Sequence, residues 1–201
     1  MERGRDRRKA RSRGYMEAAL LDLMQTKDFQ NITVNDITER ACISRSTFYF
    51  QFEDKYFFLE RIIDDMLSDL RRETSPARGT EFSLTLESRR YYERYFSYIF
   101  DHAGFFRAML GPHGTPLFRK KPEESAYITY RDIFSRFGAR DMASLDYFIQ
   151  YIISAHIGVT VRWIHDGLRE PPAVMAELLT KLTFYGLLHG LEMDQEISLP
   201  K

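Results

Sequence analysis

The stretch from Thr33 to Lys55 constrains this chain most, because it writes two helix starts around one compact turn. Thr33-Val34-Asn35-Asp36 has the form of an N-terminal cap. The threonine hydroxyl can accept a free backbone N–H there, and Asp36 adds negative charge in the first turn. A short helix to about Arg40 is followed by Ala41-Cys42-Ile43-Ser44, and Ser44 can cap a second helix from Arg45 to about Phe50. Two short helices joined this way form a helix-turn-helix. Ile37, Ala41, Ile43 and Phe48 can pack inward and fix the helix angle, while Arg45, Ser46, Thr47, Tyr49 and Gln51 lie on or near the exposed face. Such a surface suits a DNA major groove.

The flanking sequence is helical throughout, with no internal repeat and no convincing strand pattern. From Arg8, the residues Tyr15, Ala18, Ala19, Leu23 and Met24 recur at helical spacing. Asp54 can cap a helix in which Tyr56, Leu59, Ile63, Met66 and Leu70 share a face. Thr74 to Thr80 combines helix breakers with small polar residues and predicts a connection to a second unit. Beyond it we read helices over Leu84 to about His102, Phe105 to Leu110, Glu123 to Phe137 and Leu145 to His165, with Gly167 at the position of a C-terminal cap. A last helix starts after Pro171-Pro172. The expected architecture is all-α, with roughly nine helices in two domains. These are a DNA-binding domain over 1–55, extended by a linking helix over about 54–73, and a helical domain over 80–201.

Charge is balanced overall, 29 basic against 29 acidic residues, but it is not evenly spread. Residues 1–13 carry seven basic and two acidic side chains, a net +5. That run reads either as a solvated tail or as an arm that neutralises DNA phosphates. No stretch approaches 18 consecutive apolar residues and the first fifteen positions are dominated by charged side chains, so neither a membrane span nor secretion is expected. A cytoplasmic location follows, and the single Cys42 agrees with it.

The segment TVNDITERACISRSTFYFQFEDK, Thr33 through Lys55, resembles the DNA-binding signature of the TetR regulators. In that signature a threonine-initiated helix precedes an Ala-Gly-Val-Ser-like turn, Thr-[Leu/Phe]-Tyr, a [His/Gln]-Phe pair and Lys. The resemblance implies that Thr33 contacts phosphate at a helix N-terminus and that Arg45, Ser46 and Thr47 approach base edges or nearby phosphates. It further implies that Tyr49, Gln51 and Lys55 hold backbone phosphates, with Phe50 completing the DNA-contacting set. Two positions depart from the pattern: Cys42 stands where glycine is usual, and Gln51 where histidine is commonest. Residues 158–167 followed by Pro171 and a final helix are similar to one C-terminal variety of the family. By resemblance the last two helices pair with their symmetry mates in a homodimer, which would address a palindromic operator with half-site centres about 34 Å apart or a multiple of it.

Aromatic side chains are dense between residues 82 and 137, and most must be core. An aromatic cavity with a few polar tips would also suit a small hydrophobic or aromatic effector. The candidates are Tyr92, Tyr95, Phe96, Met109, Tyr127, Tyr130, Phe134, His156 and Trp163. The plainer reading of His156 is a hydrogen-bonded core or interface residue. No nucleophile elbow, phosphate loop or His-Glu-x-x-His pair is present, and the five histidines lack metal-ligand spacing, so no enzyme, metal or cofactor is expected. The leading expectation is a repressor released from its operator when an effector changes the spacing of the two reading heads. The alternatives are a regulator controlled by a protein partner, and a helical enzyme or interaction module with a vestigial helix-turn-helix.

Overall fold

The computed structural model describes residues 2–74, 84–136 and 144–190. Among the described residues there are nine α-helices and no strand. They are α1 (Glu2–Leu23), α2 (Val34–Arg40), α3 (Arg45–Tyr49), α4 (Lys55–Thr74), α5 (Leu84–Asp101), α6 (Ala103–Leu110), α7 (Pro116–Arg136), α8 (Leu145–His165) and α9 (Pro172–Gly190), with a single 3-10 turn at Phe29–Asn31. No described helix is long and apolar enough to cross a membrane.

The chain divides into two compact units: residues 1–69 with 104–120, and residues 70–103 with 121–201. In this division residues 104–120, inside the expected second domain over 80–201, group with the first unit. The loop after α6 belongs to the first unit because it bonds the connection between α1 and α2. The Phe29 N–H donates to the His113 carbonyl at 3.4 Å, and His113 Nδ1 lies 2.6 Å from Asp28 Oδ1. The first unit also retains α4 as far as Asp69 rather than ending at residue 55, since the rings of Phe48 and Phe52 both pack against Phe58. The expected interdomain connection lies, from residue 75, outside the described residues.

In the first unit, α1 turns Met16, Ala19 and Leu20 into the core, with Met24 buried just past its end, and leaves Tyr15 on the surface, so its buried stripe is offset from the one expected. The basic run is helical from Glu2 onward. Phe58, Leu59, Ile62, Ile63 and Leu67 form the buried face of α4. Burying side chains of this size contributes about 1.5–3 kcal/mol each.

In the second unit, α5 packs along α9, and Phe96 meets the Trp163 ring edge-on at 5.2 Å. Leu145, Ile149 and Ile153 of α8 form a further core with Tyr127, Tyr130 and Phe134 of α7 packed against it. The end of α8 carries the expected cap. Gly167 at φ 85 and Leu168 at φ 59 reverse the chain, and the Leu168 N–H returns to the Trp163 carbonyl at 2.9 Å. α7 starts earlier than expected: Pro116 occupies a first-turn position and Pro122 lies inside the helix, removing one backbone donor without stopping it.

Candidate nucleic-acid interface

The helix-turn-helix is set by side-chain bonds at its helix starts. Thr33 and Asp36 form a reciprocal capping box: the Asp36 N–H donates to Thr33 Oγ1 at 3.1 Å and the Thr33 N–H to Asp36 Oδ2 at 2.7 Å. Lys27 Nζ donates to the same carboxylate oxygen at 2.8 Å. The bonds from Lys27 and from the Thr33 backbone hold the Asp36 carboxyl down at about 2. At the second start, Ser44 Oγ accepts the Thr47 N–H at 3.3 Å and lies 2.8 Å and 2.9 Å from the hydroxyls of Ser46 and Thr47. Between the two starts, Cys42 holds φ 53, the left-handed conformation that glycine adopts freely. The departure from glycine therefore leaves the turn intact at the expense of backbone strain.

Phe48 anchors α3 with no exposure and packs edge-on against Phe58. Arg45, Ser46, Tyr49 and Phe50 are exposed, Thr47 is half-buried, and Thr33 is exposed at the start of α2. Five of these six expected site residues are thus exposed and the sixth half-buried.

Gln51 and Lys55 are placed differently from what the resemblance implies. Lys55 Nζ donates to three carbonyls, those of Phe29 (3.0 Å), Gln30 (2.8 Å) and Ile32 (2.6 Å), and sits about 5 Å from the ring centres of Phe29 and Tyr56. An ammonium has three hydrogens, so this geometry leaves none for a phosphate. Desolvation lowers its pKa from the ordinary lysine value. Gln51 Nε2 donates to Ser12 Oγ of α1 at 2.9 Å and approaches the Thr47 carbonyl at 3.5 Å, so this amide fastens α3 to α1. Ser12 carried no periodic signal of its own in the sequence.

The expected effector residues separate into groups. Tyr92, Tyr130 and Thr183 meet around His156, and nearby Tyr95 lies 3.2 Å from Thr160 Oγ1. Thr183 donates its hydrogen to the Leu179 carbonyl at 2.7 Å, so at 2.9 Å it accepts from His156 Nε2–H. His156 Nδ1 is then the acceptor of the Tyr130 hydroxyl at 2.8 Å. Burial of the neutral ring lowers its pKa to about 4. Burial also pushes the phenols of Tyr91, Tyr92, Tyr95 and Tyr130 up.

Phe96 and Trp163 pack on each other, with Trp163 Nε1–H donating to the Glu170 carbonyl at 3.0 Å. Tyr127 donates to Asp146 on the surface at 2.6 Å, and Phe134 stacks on Tyr130. Met109 falls in the first unit, outside this group, because α6 packs there. Thr160 and Thr183 were not singled out in the sequence, although Thr160 stands one turn after His156 on the same face of α8.

A capped two-helix element with an exposed second helix defines the class as a helix-turn-helix protein. Two family models match the chain, "Bacterial regulatory proteins, tetR family" over residues 17–62 and "Transcriptional regulator C-terminal region" over residues 87–185. The chain belongs to the TetR family.

Among its relatives, it is 34% identical over 124 residues to the HTH-type transcriptional regulator EthR of Mycolicibacterium smegmatis, a match covering 59% of this chain and 55% of that one. It is 32% identical over 96 residues to the HTH-type transcriptional regulator YxbF of Bacillus subtilis, covering 47% of this chain and 25% of that one. The match thus spans about a quarter to about half the length of these curated relatives. A solved TetR-family regulator from Streptomyces coelicolor superposes with a TM-score of 0.64 at 23% identity, covering 93% of this chain and 85% of that one. A TetR regulator from Streptococcus agalactiae gives 0.65 at 18% identity, covering 91% and 99%. Both likenesses are of fold.

Proposed function

We propose that this protein is a cytoplasmic, dimeric regulator of transcription that binds palindromic operator DNA through α2 and α3 and acts as a repressor. The observation that carries the reading is α3 itself: one buried ring, Phe48, fixes a helix whose Arg45, Ser46 and Tyr49 stand in solvent. Arg45, Ser46 and Thr47 approach base edges. Thr33 and Tyr49 contact phosphates, and Phe50 lies against the strand.

The dimer forms through α8 and α9, the family's pairing helices. Their exposed apolar side chains support this: Tyr147 is 80% exposed and Tyr151 72%, with Phe148, Val174 and Leu178 also on the surface.

A second reading, release by a small effector, is favoured by the hydroxyl-rich group around His156. Tyr92 and Tyr130 bring hydroxyls to it, and Tyr95 lies nearby, beside the apolar surfaces such a ligand requires. An effector acts only by binding one head spacing more tightly than the other.

Fluorescence anisotropy with a labelled mixed-sequence duplex tests the DNA-binding reading. Binding that weakens steeply with added salt supports it, and absence of binding by folded dimer at low salt overturns it.

A further inference from the structure

We propose that the sugar–phosphate backbone of one DNA strand lies in a cleft between α1 and α3, gripped by Arg8, Lys9 and Arg11 of α1. The proposal rests on the DNA-binding reading above. An open cleft of about 1220 Å³ separates the two helices, with those three cations on one wall and Thr47 and Gln51 on the other. No carboxylate lines it, so its field favours an anion. Tyr15 and Phe50 also line it, 47% and 63% exposed, and Tyr15 positions one of the cations: its hydroxyl accepts the Arg11 Nε–H at 2.8 Å, with the guanidinium over its ring. Three cations along one open cleft match an extended phosphate backbone better than a compact inorganic anion.

The geometry of Gln51 and Lys55 points the same way. Both stand where the family signature holds phosphate, and both are turned inward, to Ser12 and to three carbonyls. The cationic wall facing α3 takes over that grip. Ser12 is the positioning residue: its hydroxyl donates to the Lys9 carbonyl at 3.0 Å and accepts from Gln51, which joins the basic turn of α1 to the end of α3. Arg13, one residue further, pairs with Asp65 and does not line the cleft.

The test compares the salt dependence of duplex binding by the full chain and two variants, Arg8→Gln/Arg11→Gln and Arg13→Gln, each first shown to melt as the parent does. The cleft variant is expected to bind at least about tenfold more weakly. The slope of log K against log salt should shrink by about 0.9 for each phosphate contact removed. Arg13→Gln should bind as the parent does. Parental binding by the cleft variant overturns the proposal and leaves the regulator intact. Equal weakening by Arg13→Gln overturns it as well, reducing the effect to net charge. Displacement of the duplex by inorganic phosphate at constant ionic strength, from the parent alone, would make the cleft a free-anion site and overturn it. A parent that binds no duplex removes the regulator reading and this inference together.

Discussion

Lys55 Nζ lies 2.6 Å from the carbonyl oxygen of Ile32, joining the first turn of α4 to the residue just before the capping threonine of α2. The same ammonium holds the carbonyls of Phe29 and Gln30, so one side chain fixes the whole 3-10 turn that leads into the helix-turn-helix.

Lys55→Met keeps much of the apolar stem and removes the charge. Hydrogen bonds to charged groups contribute about 1.5–3 kcal/mol, and we expect a loss of stability of that order. Urea denaturation checks it. DNA affinity should fall with it through misplacement of α2, while the salt slope stays unchanged because no phosphate contact is removed.

Cys42→Gly should stabilise the protein. A left-handed L-residue is strained by about 1–2 kcal/mol. Glycine relieves this but adds about 0.5–1 kcal/mol of unfolded-chain freedom, so a net gain of up to about 1.5 kcal/mol is expected. Cys42→Val should be destabilising, since a β-branched side chain tolerates φ 53 poorly. Thermal melting of the two variants gives opposite shifts if the turn is as described.

His156 makes the second unit acid-sensitive. Its folded pKa of about 4 lies below the ordinary 6.5, so between these values the unfolded chain binds the extra proton. Stability is therefore complete above the unfolded value and falls with decreasing pH through this window, by up to about 1.4 kcal/mol per pH unit. Protonation would also place a hydrogen on Nδ1, where the Tyr130 hydroxyl now donates. His156→Gln should flatten the pH dependence between 6.5 and 4 in denaturation measurements, and an unchanged slope would remove this account.

Thr47 and Tyr49 should differ in kind. Tyr49→Ala is expected to weaken binding to all duplexes alike, whereas Thr47→Ala should change the preferred base at one position by about 1–3 kcal/mol. Competition binding with single-base variants of a selected site separates the two. Uniform weakening by both would erase the division between reading and positioning residues.

The sequence made local signals legible and left long-range ones hidden. Helix α8 appears with the limits read from its apolar period, and the caps at Thr33 and Ser44 are formed as their residue types imply. The assignment of residues 104–120 to the first unit was not legible, because it depends on His113 meeting Asp28 and Phe29 across a long separation. The same holds for Lys55, whose partners are backbone carbonyls and leave no mark in residue identity. The start of α7 was not legible either: the apolar pattern places it at Glu123, whereas the helix runs from Pro116 with Pro122 inside it, one missing donor being carried by the neighbouring turns.

The central claim, a paired reading head for duplex DNA, is tested most directly by selecting sequences from a random duplex pool with the purified protein. The account predicts enrichment of a palindrome whose half-site centres lie about 34 Å apart or a multiple of it. No enrichment at moderate salt, by protein shown to be folded and dimeric, would contradict it.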